Sequence, residues 1–571
     1  MSNTCKISGA EAVIQSLVEE EVPYIFGYPG GAIMPVYDAL MGYQDKIKHI
    51  LTRHEQGAAH AAQGFARASG RVGVCLATSG PGATNLITGI ADAMIDSTPL
   101  VCITGQVASP LLGSDAFQET DVVGISMPVT KWNYLVTDPE KIPWAIARAF
   151  YIAKSGRPGP VLIDISKDAQ FGQLEFEYEK CHAIRSYIPT PDIELDQVDA
   201  AVEAIGEAKK PFLLFGQGVV LGQAEEELRR FVEKSGIPAA WTILGTSALP
   251  SDHPLNMGML GMHGHYATNK LSNECDLMIA VGMRFDDRVT SDTTRYAKQA
   301  KIIHLEIDPA EVNKNIVIDY PIIGDVKAVL PMLTERIRAA EYPDWVSEFH
   351  ALRAIEEKNV IEKDLYPTKP GLTMGEVLRR VNEATDDDAV VVTDVGQHQM
   401  IASRYCKHKR PRSFVTSGGL GTMGFGLPAA LGAKFGAQDR TVVLIVGDGG
   451  LQMTIQELGT IHQTRQAVKI VLLNNHYLGM VRQWQELFFD RRYSETYLEN
   501  PDFVKIAEGY GITGRKVEAR EALDGAVRAM IEHDGPYLLE VTIEQEDNVF
   551  PMVPAGASVS EVMLAPKKEN D

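Results

Sequence analysis

Two short stretches carry the residue types that metal and phosphate chemistry asks for. In "VGDGGLQM", Asp448 sits just past an apolar run, between Gly447 and the pair Gly449 and Gly450; in "IVLLNNHYLGM", Asn475 closes the next apolar run. A carboxylate and an amide oxygen issuing from adjacent strand ends are hard ligands suited to Mg²⁺, which keeps few protein ligands and fills its shell with phosphate and water. The flanking glycines let backbone approach a diphosphate closely. Gly-Asp-Gly alone is a common turn; its pairing with Asn-Asn one strand later makes it a ligand set. A third stretch, "RHEQGAAHAAQGFARASG", puts Glu55 where an Ala/Gly-rich helix begins. Taken alone, that carboxylate needs no purpose beyond complementing the helix dipole. Two glycine patterns are weaker. "GGLGTMG" places Gly419, Gly421 and Gly424 in dinucleotide spacing, but the acidic residue that should end the following strand, Asp439, instead precedes "TVVLIV", which argues against that use. "GQGVVLG", with Gly216 and Gly218, is a looser turn after a strand that could face a dinucleotide.

The elements that must hold these residues are legible as short apolar runs ending in Gly, Asp or Ser. "YIFGYPGG", "VGVCLATSGPG" and "PVLIDISKD" stand in the first third, "PFLLFGQG" and "CDLMIAVGMRFDD" in the middle, and "AVVVTDVGQ" and "TVVLIVGDGG" in the last. Continuous Val/Ile/Leu runs alternating with helical patterns predict buried parallel strands, hence α/β layers. A chain of 571 residues is too long for one core and suggests three such domains, with polar stretches near 169–195 and 337–370 as linkers. The first and last thirds share an order of Ala/Gly helix, polar turn, apolar strand and Gly turn, the pattern of an internal duplication.

Composition narrows the function class. The formal charge of −21 argues against a nucleic-acid or anionic-membrane surface, which needs clustered Lys and Arg. No window approaches the roughly 18 apolar residues of a spanning helix, and "MSNTCKISGAEAVIQSLVEEE" lacks the layout of a signal peptide. Six scattered cysteines (Cys5, Cys75, Cys102, Cys181, Cys275, Cys406) form no CxxC pair, which fits a reducing, cytoplasmic setting.

With these motifs in hand, the chain resembles the acetolactate (acetohydroxyacid) synthase large-subunit family of thiamine diphosphate enzymes. "YPGGAIMPVYDAL", "RHEQGAAHAA", "SGPGATN", "RFDDRVT", "DVGQHQM", "SGGLGTMGFGLPAA" and "NNHYLGMVRQWQ" carry the likeness, in order, along nearly the whole chain. The resemblance implies three doubly wound parallel-sheet α/β domains of the thiamine diphosphate enzyme type. They are expected at 1–170 (pyrimidine-binding), 190–340 (FAD-binding) and 370–545 (diphosphate-binding), followed by a tail at 546–571. It implies decarboxylation of pyruvate and joining of the two-carbon unit to a second pyruvate or to 2-ketobutyrate, with thiamine diphosphate, Mg²⁺ and FAD as cofactors. A homodimer or tetramer is implied too, with a possible small regulatory subunit.

The resemblance also assigns roles. Glu55 would hydrogen-bond N1′ of the cofactor's aminopyrimidine and favour the tautomer that takes up the thiazolium proton. Gly396, Gln397 and His398 would contact the diphosphate, Gly421 would offer its carbonyl to the 4′-amino group, and Met423 would wedge the cofactor into a bent shape. Asp448, Asn475 and the Tyr477 carbonyl would hold the metal, with Gly447 and Gly449 beside them. Flavin contacts would come from Arg157, Gly216, Gly218, Thr242, Met262, His263, Gly282, Arg284, Glu306 and Asp325. Arg288 would take the carboxylate of the second ketoacid, or else form a plain surface ion pair with Asp286 or Asp287. Met480 and Trp484, one helical turn apart, would shape the acceptor pocket, as would Phe117, Gln118 and Lys167; each of these also has an ordinary packing reading. In one place the chain departs from the family: after "DVGQHQM" a Trp-Ala-Ala-Gln run is usual, and here Ile401-Ala402-Ser403-Arg404 stands instead.

Overall fold

Apolar runs buried on both faces build three parallel six-stranded sheets in the computed structural model, which describes residues 6–566. Cys5 and the last residues of the tail, 567–571, lie outside the described residues. The first unit contains β1 (Lys6–Ser8), β2 (Tyr24–Gly27), β3 (Lys48–Leu51), β4 (Gly73–Ala77), β5 (Leu100–Gln106), β6 (Trp132–Val136), β7 (Pro160–Ser166) and β8 (Gln173–Glu175). Its sheet runs β3-β2-β4-β5-β7-β6, while β1 and β8 pair separately as an antiparallel ribbon. The middle unit, β9 (Pro211–Phe215), β10 (Ala239–Trp241), β11 (Asn256–Met259), β12 (Leu277–Val281), β13 (Lys301–Glu306) and β14 (Tyr320–Ile323), is ordered β11-β10-β9-β12-β13-β14. The third unit is β15 (Val390–Thr393), β16 (Phe414–Val415), β17 (Val442–Gly447), β18 (Val468–Asn474), β19 (Thr513–Val517) and β20 (Tyr537–Thr542), ordered β16-β15-β17-β18-β20-β19. The outer two sheets follow one connection pattern, as the duplicated sequence order suggested. The middle sheet has the doubly wound dinucleotide-binding order, whose switch point lies between β9 and β12.

The duplicated helices are what join the outer sheets. Glu55–Ser69 is capped by His54, whose ring accepts from the Gln56 amide, and ends at Gly70 in the left-handed conformation. It packs against Gly426–Gly436 so closely that a Cβ on Gly64 would stand 2.0 Å from the Ala429 carbonyl oxygen, and one on Gly432 would stand 1.8 Å from that of Ala61. Only glycine fits either position. One hydrophobic core therefore runs through both outer units, from Phe26 and Phe65 to Phe435 and Leu444. The middle sheet has cores of its own, around Leu213 and Ile279 on one face and Phe212 and Met278 on the other.

The two stretches read as linkers differ from that expectation. Residues 337–370 are largely helical: Pro343–Glu356 runs through a π turn at Glu357–Ile361 into Glu362–Leu365. Trp345 is buried and donates to the Pro211 carbonyl at 2.8 Å, so this segment covers the middle sheet. The other stretch is mostly irregular but includes β8, which ties it back to the N-terminal strand.

Candidate active site

Parallel register sets the first half of the site. Gly447 of β17 lies opposite Leu473 of β18, so Asp448 and Asn475 leave their strands side by side at the C-terminal edge. Gly396, Gln397, His398, Met423, Gly447, Gly449 and Tyr477 join them around a small cavity of about 50 Å³. Asp448 is buried and accepts 2.6 Å from the Asn500 amide; burial pushes its carboxyl up to about 6, and the Asn500 hydrogen bond pulls it part of the way back. The Asn475 amide oxygen accepts from the Tyr477 backbone N–H at 3.1 Å. Gln397 Oε1 and His398 Nε2 are buried here without a protein partner. Burial pushes His398 down to about 4, so it is neutral near pH 7.

A larger cavity, about 820 Å³, runs from the middle sheet's switch point to the loop carrying Gly421 and Met423. Arg157, Gly218, Thr242, Gly282, Arg284, Glu306 and Asp325 line it around the switch point, and Gly396, Met480 and Trp484 line it beside the Gly421 loop. Met262, His263 and Arg288 also line it, with Met262 and Arg288 in contact through their backbones. Gly216 is not in its wall: a Cβ there would meet the Gly282 carbonyl at 2.5 Å, and one on Gly218 would meet the Gly282 Cα at 2.6 Å. Glycine is thus needed where the turns after β9 and β12 cross. Glu306 is raised to about 7 by burial, with backbone N–H groups and Arg157 drawing it down. Arg157 pairs with Glu311 at 2.7 Å and Asp308 at 3.3 Å, and Asp325 caps the following helix through the Lys327 amide. Arg288 both lines the cavity and makes a loose 3.7 Å pair with Asp287.

The remaining candidates lie elsewhere. Glu55 is buried at the start of its helix and accepts 3.0 Å from the Asn85 amide. It faces the "SGPG" turn, where a Cβ on Gly82 would stand 3.3 Å from Glu55 Oε1 and one on Gly80 would touch Gln118. Phe117 is 88% exposed, and Lys167 opens the short helix after β7. None of Glu55, Phe117, Gln118 and Lys167 lines either cavity. One chain thus presents two separate sets of candidate residues.

Three family models match in the order of the sheets: the N-terminal TPP binding domain of thiamine pyrophosphate enzymes at residues 7–125, their central domain at 198–333, and their C-terminal TPP binding domain at 394–541. The acetolactate synthase isozyme 2 large subunit of Escherichia coli is 47% identical over 98% of this chain and 99% of its own length. The chain belongs to the acetolactate synthase large-subunit family. The Corynebacterium glutamicum large subunit is also 47% identical, over 98% of this chain and 90% of its own, and a probable one from Methanocaldococcus jannaschii is 46% identical over 98% and 95%.

Thiamine diphosphate is the family's cofactor, and the residues at the third sheet's edge fit its charged end. Unpartnered Gln397 and His398 atoms, side-chain-free Gly447 and Gly449, and a buried carboxylate beside an amide oxygen are what a diphosphate with a divalent cation requires. Several residues that sequence reasoning passed over shape this edge. Asp394, fully buried, accepts from the Val395, Gly424 and Gly426 amides at 2.8, 3.1 and 2.7 Å, and so holds the loop around Met423. Asp96, from the first unit, accepts from the Gly418 and Gly419 amides and from Arg67; Asp92 accepts from Ser417 and from Thr422. Asp394 stood inside a quoted motif. "DAMIDST", which supplies Asp92 and Asp96, carried no signal beyond two acids on one face of an apolar helix.

Proposed function

We propose that this chain is the catalytic subunit of an acetolactate synthase. In this reading it joins the two-carbon unit of pyruvate to a second pyruvate or to 2-ketobutyrate, the first common step of branched-chain amino acid biosynthesis. The observation that carries it is the continuity of the site: the wall holding Gly396, Gly421 and Met423 runs directly into that holding Arg288, Met480 and Trp484. Bound thiamine diphosphate supplies a carbon nucleophile and an electron sink for loss of CO₂. The protein's part is positioning. Asp448, Asn475 and the Tyr477 carbonyl hold Mg²⁺; Gly396, Gln397 and His398, with Gly447 and Gly449, cradle the diphosphate. The Gly421 carbonyl and Met423 orient the aminopyrimidine. Glu55 holds a proton at the pyrimidine N1′, Arg288 orients the acceptor carboxylate, and Met480 and Trp484 favour a larger acceptor side chain. Phe117, Gln118 and Lys167 complete the acceptor pocket.

FAD is assigned to the far end of the large cavity. The turns at the β9/β12 switch point, with Thr242, Met262, His263 and Arg284, border it, and the raised Glu306 suits a ribose hydroxyl. Because Glu55 and Asp448 belong to separate sets in one chain, we assign each complete site to two chains of a homodimer or tetramer, with a small regulatory subunit as a further partner. Domains at 1–170, 190–340 and 370–545 remain the division we adopt. Among the described residues no helix is long and apolar enough to cross a membrane, in keeping with the proposed cytoplasmic location.

The test is acetolactate formation from pyruvate by the purified chain with thiamine diphosphate, Mg²⁺ and FAD, with oxygen followed in the same vessel. Acetolactate without matching oxygen loss is expected. Oxygen uptake with no acetolactate overturns the carboligase reading in favour of a flavin-linked pyruvate oxidase.

A further inference from the structure

Behind the helix that borders the diphosphate cavity, the structure contains a buried ion pair. Arg404 closes the helix Gln397–Tyr405, whose first residues border the diphosphate cavity. Its side chain is fully buried and donates at 2.5 Å to Glu356, which is equally buried. A second Arg404 N–H reaches the His263 carbonyl at 3.2 Å. The other Glu356 oxygen accepts from the Tyr266 amide at 2.7 Å. Glu356 ends the helix Pro343–Glu356 where the chain enters the π turn, a local irregularity that often marks a functional position.

The segment these groups grip is a wall of the large cavity. Met262 and His263 line it, and their backbone is held on every side. The Met262 amide donates to the Arg288 carbonyl at 2.7 Å, and the Val553 amide donates to the Met262 carbonyl at 2.8 Å. The His263 ring lies 3.2 Å from the Pro551 carbonyl. Arg404 is thus a rigid link between the wall assigned to flavin and the helix that presents Gln397 and His398. Stability alone is a poor reason for such a link, because well-packed apolar residues usually replace a buried ion pair without loss. A planar guanidinium that reaches a carboxylate and a carbonyl at once fixes two elements in one geometry.

We propose that the Arg404–Glu356 pair is a positioning device through which occupancy of the flavin end of the cavity strengthens binding at the diphosphate end. A flavin seated against Met262 and His263 favours the geometry in which Arg404 ties that wall to the Gln397 helix, and so favours the diphosphate site in its binding arrangement. The inference rests on the flavin reading given above. It assigns to the flavin an energetic coupling with the diphosphate site, which by linkage must be reciprocal.

Two binding measurements test it without any assay of turnover. Thiamine diphosphate with Mg²⁺ is titrated calorimetrically into flavin-free and flavin-loaded protein, and FAD is titrated by fluorescence quenching with and without thiamine diphosphate. In the native chain each cofactor should tighten the other by the same factor, about 5- to 150-fold. R404M alone leaves Glu356 buried without a countercharge and is expected to fold poorly, so R404M/E356L is the informative variant. It should bind each cofactor separately, with the coupling factor reduced to about 1. R404K, which keeps the charge but replaces the planar fork with a flexible, shorter-reaching ammonium, should lose most of the coupling, with folding checked by a melting curve. Undiminished coupling in R404M/E356L or in R404K overturns the proposal, as does a coupling factor of 1 in the native chain. A native chain that binds no FAD overturns the flavin reading and this inference together; FAD binding with coupling indifferent to Arg404 overturns this inference alone.

Discussion

Asp448 is a carboxyl that burial makes slower to ionise than its proposed task wants. Raised to about 6 by burial, it keeps its proton better in the folded apoprotein than in the unfolded chain. Its contribution to apoprotein stability is therefore largest in acid and is lost as pH rises through about 6. Mg²⁺ requires the ionised form, so metal affinity should run the other way, falling by up to about tenfold per pH unit below the raised value. Calorimetry of Mg²⁺ binding at pH 5 and pH 7, in buffers of different ionisation enthalpy, should show a released proton at the lower pH and little at the higher. Asn500 holds Asp448 in place through its 2.6 Å hydrogen bond and also reaches the Asn474 amide oxygen at 3.0 Å. Asn500→Ala should weaken Mg²⁺ binding about 10- to 100-fold with little change in thermal stability, as measured by titration beside a melting curve. Asp448 and Asn475 were legible because they end apolar runs. Asn500 was not, since it stands in an irregular polar stretch and reaches Asp448 only through the tertiary fold.

At the scale of elements, the contact between Glu55–Ser69 and Gly426–Gly436 sets how tightly the outer sheets join. Gly432→Ala would place a methyl group against the Ala61 carbonyl, and the backbone there has no flexible side chain to yield. A loss of about 1–3 kcal/mol is expected, read from a denaturant midpoint. The small residues of both helices were conspicuous in the sequence, yet their use against each other was not, because periodicity shows that a face is buried and not what it meets. The strands were the easier part: Val442–Gly447 and Val468–Asn474 are buried throughout, and so read as unbroken apolar runs. The helix Pro343–Glu356 was missed for the opposite reason. Only Trp345, Phe349 and Glu356 of it are buried, and so sparse a pattern in a charged stretch resembles a linker.

For the molecule as a whole, the proposed division of Glu55 and Asp448 between two chains would make function a property of an assembly. If each site takes Glu55 from one subunit and Asp448 from its partner, E55Q and D448N should each be nearly inactive alone. Unfolding both together and refolding them as a mixture should restore roughly a quarter of native activity, since half of randomly paired dimers carry one intact site of two. No recovery in verified mixed dimers would place both residues in a single chain's site. The shared connection pattern of the outer sheets was foreshadowed by their common order of helix, turn and strand; their merger into one core was not. That merger has a consequence for synthesis. Because Phe26 and Phe65 share a core with Phe435 and Leu444, the first unit cannot finish folding when it leaves the ribosome. It must wait, with the Ala/Gly face of its helix open, while the last third of the chain is made.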